Sequence, residues 1–429
     1  MPGKRLFADI RPLRISVDFR RLWAGSALST IGSQMTTFAV ALQVYTISHS
    51  SIAVGAVGLA VGAPAVTFGL LGGSLVDAVD RRRLVLLTSS CLAVVSALFA
   101  AQAFADLDRL WPLYCLVVIQ AVLNSINGPA RRTFMPRLLP AELVPAGAAL
   151  TVLAGHVSTI LGPALAGVVA GAWGLKACYL IDAVSFAAAL YGVARLPAMP
   201  PVGGAARPGP RATAEALRFV FHNKVLAGAF LADLNATVLG MPIALFPAIN
   251  AERFGGAAQS LGLLTAAVSV GGVLGSVLSG PVGHVSRQGR AMLIAGAVWG
   301  AGIAGFGLAH VLWLALLLLV VAGAADSISV VFRTTMIQLG TPDNQRGRVS
   351  AAEYVVGVSC PQLGNFRAGA IGSLVSPGIS AFSGGLATVA GSLLIGLALP
   401  GFARYRATTK QPDQTGKPDS TSDQPAQAN

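Results

Sequence analysis

Residues 124–140 read NSINGPARRTFMPRLLP, and residues 326–342 read DSISVVFRTTMIQLGTP. In this alignment Arg131 corresponds to Arg333, and a constant offset of 202 residues relates the two stretches. The same register continues through the pairs Thr133 and Thr335, Pro140 and Pro342, Gly155 and Gly357, Gly162 and Gly364, and Gly167 and Gly369. Matching Arg and Pro residues make chance agreement a poor explanation. The chain therefore contains an internal repeat.

The composition around this repeat is that of a membrane protein. Of the 429 residues, 54% are hydrophobic and 11% are charged, whereas soluble domains carry about 25% charged residues. Apolar stretches of about 20 residues, the length that a helix needs to cross a bilayer, recur along the chain. We therefore predict an all-α membrane protein with twelve transmembrane helices in two six-helix halves. The predicted spans are residues 22–46, 51–76, 84–105, 110–130, 143–171, 174–195, 225–250, 259–283, 290–310, 311–339, 349–376 and 378–403.

Basic residues alternate between the loops and predict the orientation. One side collects the N-terminal arm, Arg81–Arg83, Arg131, Arg132, Arg137, the central linker, Arg287, Arg290, Arg346, Arg348 and the tail, whereas the other has only Arg109, Lys176 and Arg253. By the positive-inside rule the first side is cytoplasmic, with both termini there. The predicted divisions are a basic arm at 1–21, an N-terminal half at 22–196, a linker at 197–224, a C-terminal half at 225–403 and a disordered tail at 404–429.

The same features argue against several other functions. The net charge of +13 is spread over alternate loops, whereas nucleic-acid binding would cluster it on one soluble face. The four cysteines lie in apolar segments without metal-ligand spacing, so we expect packing roles and no metal. No nucleotide-binding glycine motif or nucleophile–base pair is present. We therefore predict neither an enzyme nor a cofactor, and we expect a proton gradient as the driving force.

The direction of the repeat favours a transport mechanism. It pairs the fourth predicted span with the tenth and the fifth with the eleventh, and both members of each pair run in the same direction. Parallel six-helix repeats are typical of transporters that rock about a substrate site near the middle of the membrane. A channel would need a polar filter, which the sequence lacks. We therefore expect alternating access.

The loop after the second predicted span reads GGSLVDAVDRRR over residues 72–83. This combination resembles the signature loop of the major facilitator superfamily. The resemblance implies a twelve-helix fold and a role for Gly73, Asp77, Arg81 and Arg82 in gating the cytoplasmic side. The sequence departs from the usual pattern at Ala78 and Asp80, where a basic residue and a glycine are common.

Two further stretches resemble exporters of the same superfamily. Gly162, Pro163 and Gly167 are similar to its antiporter motif, in which proline bends a helix and glycines allow close packing. Residues 326–348 resemble the branch that contains enterobactin (siderophore) and macrolide exporters. The arginine that often precedes Gln-Gly in proton antiporters of the superfamily is replaced here by Val117, which stands before Gln120. Proton coupling through that arginine is therefore not available.

Five ionisable side chains lie inside the predicted spans and are candidates for substrate or proton sites. A charge at the centre of a membrane helix costs about 2.5–3.5 kcal/mol or more, so such residues need partners or a function. The candidates are His156, Asp182, Asp233, Asp326 and Arg367. Structural pairing with neighbouring helices is the alternative for each of them. Arg367 could hold an anionic substrate, and His156 could carry a proton.

These features together predict a multi-pass plasma-membrane exporter that acts as a monomer on a small molecule within the lipid bilayer. The preferred hypothesis is proton-coupled export of a siderophore. A multidrug or macrolide efflux pump on the same fold is the first alternative, and a membrane sensor or scaffold that transports nothing is the second.

Overall fold

A computed structural model describes residues 9–197, 222–279 and 287–405, together with residues 199, 218, 220 and 285. For residues 69–78, 343, 344, 346–348, 350 and 351 it describes the backbone but not the side chains. All regular secondary structure in these ranges is helical. Most of the predicted tail and most of the predicted linker lie outside the described residues, so those two assignments stay predictions.

Eleven continuous helices and one interrupted helix form the body of the described structure. They are α1 (Val17–Ser48), α2 (Ser51–Ala78), α3 (Arg81–Phe104), α4 (Leu110–Arg132), α5 (Val144–Trp173), α6 (Leu175–Ala194), α7 (Lys224–Arg253, interrupted), α8 (Ala258–Val277), α9 (Gln288–Leu308), α10 (Leu312–Gly340), α11 (Asp343–Leu374) and α12 (Pro377–Ala398). Each of these helices corresponds to one predicted span. The all-α architecture is therefore confirmed.

Ten of these helices are long and apolar enough to cross a membrane. The other two, α1 and α11, have sufficient length but are more polar: α1 carries a run of Ser, Thr and Gln residues, and α11 contains Glu353 and Arg367. The number of twelve membrane spans therefore stays a prediction. Polar helices in a membrane bundle usually face protein or a water-filled cavity, because lipid cannot satisfy their polar groups.

Two details differ from the sequence-based prediction. Helix α1 begins at Val17, because the Ser16 side chain accepts a hydrogen bond from the Phe19 backbone nitrogen at 3.1 Å. Arg20 and Arg21 therefore belong to the first helix rather than to the basic arm. The seventh predicted span is not one continuous helix, since a π-helical turn occupies Asn235–Leu239 and a 3-10 turn follows at Ile243–Leu245.

The sequence repeat is also a repeat in packing. Gly162 lies against α1 and Gly364 lies against α7, so each approaches the first helix of its own half. Gly167 lies against α8 and Gly369 lies against α2, so each approaches the other half. At all four positions an added Cβ would come closer to its neighbour than real Cβ atoms do. The repeated glycines therefore mark places where helices approach each other closely.

The helices alternate in direction between two ends of the bundle. We call the end that holds the start of α1 and the end of α12 the terminal face, and the end that holds the α1–α2 and α5–α6 connections the opposite face. The two halves meet near the opposite face, where the start of α2 packs on the end of α11 and the end of α5 packs on the start of α8. There the Ile52 backbone nitrogen donates to the Ser373 hydroxyl at 2.8 Å.

The buried apolar residues show the same division. One cluster near the opposite face includes residues from both halves, such as Phe38, Val44, Phe246 and Leu264. Near the terminal face each half has its own clusters instead. A Cβ added at Gly128, Gly155 or Gly357 would meet no atom within 4 Å. The described halves are therefore joined at the opposite face and separated towards the terminal face.

We predict that Gly167→Ala destabilises the protein, whereas Gly155→Ala on the same helix does not. A Cβ at Gly167 would lie 2.7 Å from the Ala258 carbonyl oxygen and 3.1 Å from the Gly262 Cα, and such overpacking costs about 1–3 kcal/mol. Gly155 has open space, and alanine has the higher helix propensity by about 1 kcal/mol. Thermal unfolding of the purified proteins in detergent measures both changes. Equal stability of the two variants would contradict the close contact.

Candidate functional site

A cavity of about 400 Å³ lies between the two halves. Helices α1, α2 and α4 line it from the N-terminal half, and α7 and α11 line it from the C-terminal half. Its hydrogen-bonding side chains are Thr37, Gln120, Asn124, Ser125, Tyr354, Gln362 and Asn365. We call this space the central cavity. Its size is within the range of about 300–1,000 Å³ that is typical of small-molecule sites.

A second cavity of about 220 Å³ lies beside the first. It shares Thr37, Ala41 and Ile243 with the central cavity and is walled by α5 and α8 as well. Pro163 lines it, while Gly162 and Gly167 make the close contacts with α1 and α8. The predicted antiporter-like stretch therefore forms both a cavity wall and part of the junction between the halves.

Among the described side chains, no charged one lines either of these two cavities. The sequence-based candidates were ionisable residues and did not include the amides Gln120, Asn124, Gln362 and Asn365. A signal was present, because Gln120 and Asn124 are one helical turn apart on one side of α4 and follow a mainly apolar stretch. The central cavity thus offers neutral donors and acceptors to a ligand.

The interruption of α7 explains the position of Arg367. The π-helical turn leaves backbone carbonyls without their usual helical partners, and such groups must be satisfied inside a membrane. The Leu239 carbonyl accepts from the Arg367 guanidinium at 2.5 Å, while the Ala236 carbonyl keeps the backbone bond from Gly240 and also accepts from the Trp299 indole at 3.3 Å. Arg367 lines neither cavity. It stabilises the irregular part of α7, and its predicted contact with substrate stays a prediction.

The C-terminal half contains a cluster of charged side chains, which we call the acidic cluster: Asp233, Asp326, Arg333 and Glu353. Arg333 forms an ion pair with Asp233 and lies 3.7 Å from Glu353. Asp326 is near enough to both Asp233 and Arg333 to interact with their charges. Two carboxylates thus share one arginine, and Asp326 lies on the same helix as that arginine. The structure brings the predicted candidates Asp233 and Asp326 together on neighbouring helices.

Asp182 has a different environment in the N-terminal half. It is fully buried and accepts hydrogen bonds from Thr36 at 2.8 Å, Ser96 at 2.6 Å and Ser33 at 3.4 Å. These donors belong to α1 and α3, so the carboxylate ties α6 to both helices. This arrangement agrees with the structural alternative, and its predicted part in transport is untested.

His156 is exposed on α5, two turns before Pro163. Residues seven apart lie on nearly the same side of a helix. His156 therefore lies on the same side of α5 as Pro163, which contacts α8. Its ring has no hydrogen-bond partner among the described residues. The separation of the halves towards the terminal face leaves this ring accessible, so His156 stays a candidate proton site.

The loop before α3 joins that helix to the end of α6. Asp80 accepts hydrogen bonds from the backbone nitrogens of Arg83 at 2.9 Å and Met199 at 3.1 Å. Arg82 donates to the Ala194 carbonyl at 2.6 Å, and the Arg81 backbone nitrogen donates to the Met199 carbonyl at 3.2 Å. The backbone hydrogen bond from Arg83 is the main cause that lowers the pKa of Asp80.

These contacts explain why Asp80 replaces the usual glycine, since it caps α3. They lie within the N-terminal half, so these contacts of Arg81 and Arg82 fix neighbouring helices of one half. The side chain of Asp77 and the packing around Gly73 lie outside the described side chains. The gating role of these four residues therefore stays a prediction.

The sequence matches one protein family and one group of relatives over nearly its whole length. Residues 7–418 match the model of a family described as transmembrane secretion effector. The enterobactin exporter EntS of Citrobacter koseri is 26% identical over 401 residues, which cover 94% of this chain and 96% of that protein.

Solved structures agree on the fold. The nucleoside transporter NupG has a TM-score of 0.73 at 14% identity, and the match covers 91% of this chain and all 100% of that one. A bacterial homologue of the iron transporter ferroportin, solved in an inward-facing state, has a TM-score of 0.66 at 15% identity over 91% of this chain and 99% of that one. At these identities the similarity supports the fold alone, which is that of major facilitator transporters.

We predict that Asp80→Ala lowers thermal stability near neutral pH, by about 1 kcal/mol, the typical effect of losing a helix cap. The folded protein lowers the pKa of Asp80, so the carboxylate contributes stability above its ordinary pKa of about 4 and loses it as the pH falls through the folded value. The difference in unfolding temperature between the two proteins should therefore shrink on acidification. A difference that stays constant from neutral to acidic pH would contradict the role of this carboxylate.

Proposed function

Because this chain belongs to the transmembrane secretion effector family, we propose that it exports a siderophore by alternating access, in exchange for protons. The relatives are transporters rather than enzymes, and the chain is a multi-pass inner-membrane transporter of small molecules. The observation that carries the proposal is the central cavity between the halves, together with the full-length similarity to enterobactin exporters.

The charge distribution supports loading from the cytoplasm. Arg81–Arg83, Arg131 and Arg132 lie at the terminal face, and only Arg109, Lys176 and Arg253 mark the opposite face. Under the positive-inside rule the terminal face is cytoplasmic. The described parts of the halves are separated on that side and joined on the other. This arrangement is what an exporter needs in order to receive substrate from inside the cell.

The chemistry of the central cavity fits a ligand with many hydrogen-bonding groups. Amides such as Gln120 and Gln362 can donate or accept, and they need no counter-charge when the cavity is empty. The apolar walls of both cavities, including Val57, Val61 and Phe246, suit aromatic or aliphatic parts of the same molecule. A siderophore with amide and aromatic groups meets both requirements.

The acidic cluster is the proposed site of proton coupling. Like charges held close together disfavour full ionisation, so a group of carboxylates can share a proton that a single paired carboxylate would not hold. Arg333 already pairs with Asp233, and the Asp326 carboxylate accepts no hydrogen bond from a described residue. Asp326 is therefore the group best placed to take up and release the proton.

Deletion of the gene should remove a secreted iron chelator from the culture supernatant without changing drug susceptibility. Metabolite profiling of the supernatant and growth inhibition by macrolides measure the two outcomes, and expression of the gene from a plasmid should restore secretion. Drug sensitivity with normal chelator secretion would favour a drug efflux pump instead. If the deletion changes neither chelator secretion nor drug susceptibility, a membrane protein that transports nothing is favoured.

Asp326→Asn should abolish uphill accumulation of enterobactin in inside-out membrane vesicles while leaving downhill equilibration intact, because an amide cannot carry the proton. His156→Gln is the matched comparison, since it removes the other candidate proton carrier. Accumulation is measured with an imposed pH gradient and again after a protonophore. If Asp326→Asn accumulates substrate normally and His156→Gln does not, coupling lies at His156 rather than in the acidic cluster.

A further inference from the structure

The repeat places two arginines at equivalent positions, but their surroundings differ in charge. Arg333 in the C-terminal half has an ion pair with Asp233 and lies near Glu353. Arg131 in the N-terminal half donates to the hydroxyls of Ser26 at 2.8 Å and Ser89 at 3.1 Å. No acidic side chain among the described residues forms an ion pair with Arg131.

The repeat register identifies what replaces the carboxylates. Asn124 occupies the position equivalent to Asp326, and Thr151 occupies the position equivalent to Glu353. Helix α1 has no acidic residue after Asp18. The same fold therefore surrounds one arginine with an excess of negative charge and the other with none.

Arg131 is directed into the bundle rather than towards the membrane surface. It is the penultimate residue of α4, and helical side chains lean towards the N-terminus of their helix, which here means away from the terminal face. Ser26 and Ser89 lie roughly 12–14 Å from the starts of α1 and α3 at 1.5 Å per residue. The exposed neighbour Arg132 is the better candidate for a headgroup anchor.

The donors of Arg131 are only partly used. Its Nε is buried and has no hydrogen-bond partner, and only two of its N–H groups have partners in the described structure. A buried cation without a counter-charge is costly. Ionisable residues retained at such positions in membrane proteins usually serve a function.

Two cavities adjoin this guanidinium. One of about 130 Å³ is lined by polar side chains, including Ser29, Asn124 and Asn127. The other, of about 340 Å³, has Arg132 and Thr151 beside the aromatic rings of Phe19 and Trp23. Asn124 also lines the central cavity, and it lies about 10 Å along α4 from Arg131 at 1.5 Å per residue.

We propose that Arg131 is the anion-binding residue of a pocket in the N-terminal half that takes the carboxylate or phenolate of an aromatic organic anion. The guanidinium offers the paired donors that such groups accept, and the neighbouring aromatic rings accommodate the ring of the ligand. This inference rests on the proposed export function, since it assigns the charged part of the exported molecule to the N-terminal half.

Benzoate and benzamide test the charge requirement, because they have nearly the same shape and differ in charge. The purified full-length protein in detergent is heated at increasing concentrations of each compound, since a ligand that binds the folded state raises the unfolding temperature. Benzoate should stabilise the protein at concentrations about tenfold or more below benzamide, as expected for a hydrogen bond to a charged group. Equal stabilisation by the two compounds would overturn the proposal.

Two substitutions locate the site. Arg131→Gln should raise the benzoate concentration needed for half-maximal stabilisation by about tenfold or more. Thr151→Glu keeps Arg131 but adds a carboxylate at the position equivalent to Glu353, which lies 3.7 Å from Arg333 in the other half. It should therefore weaken benzoate binding in the same way. Thr151→Gln is the matched neutral variant, which adds the same bulk without the charge, so it should bind benzoate more tightly than Thr151→Glu.

Thr151 is exposed, and its hydroxyl bonds only to its own helix at the Gly147 carbonyl, so the Thr151 variants keep the test valid if Arg131→Gln does not fold. Unchanged benzoate binding in Thr151→Glu would overturn the proposal. Binding to purified protein does not require transport. If the purified protein does not bind benzoate but deletion of the gene still removes the secreted chelator, this site alone is refuted. If the protein binds benzoate but deletion leaves secretion unchanged, the proposed function alone is refuted.

Discussion

The close contact between helix backbones at glycine residues near the opposite face is the constraint on which the rest of the structure depends. Gly167 and Gly262 bring α5 and α8 together, and Gly369 brings α11 onto α2. In lipid there is no hydrophobic driving force between helices, so close packing of small residues must join the halves. Because these contacts occur at one end of the described structure, its two halves diverge towards the other end. The cavities lie where the joined region ends.

The interruption of α7 follows from the same location. Ile243 and Ala244, which follow the π-helical turn, line the cavities, so the irregular backbone lies beside space rather than against lipid. The Leu239 carbonyl at the end of the π-helical turn has a donor in the Arg367 guanidinium. The charge that the sequence suggests for substrate binding thus also stabilises the fold. The central cavity keeps neutral amides, which cost less than charges when no ligand is present.

Much of the fold could be predicted because its signals are local or periodic. Apolar length identifies the helices, and the repeated Gly162 and Gly364 occupy equivalent packing positions. The break in α7 was missed because Asn235–Leu239 (NATVL) has a composition that an ordinary α-helix also accommodates. The cavity lining was missed because it needs the relative placement of five helices. The partner of Arg367 is a backbone carbonyl, which has no signature in the sequence.

The two halves keep one fold but divide the chemistry between them. An internal repeat creates each local site twice, and substitution of a few side chains is then enough to make the copies different without disturbing the packing. Carboxylates around Arg333 give one copy an affinity for positive charge, whereas Asn124 and the hydroxyls around Arg131 leave the other copy positive. In the proposed exchange, the proton would bind beside Arg333 and the anionic part of the substrate beside Arg131. The charge difference between these equivalent arginines would then separate the two ions within a symmetric framework.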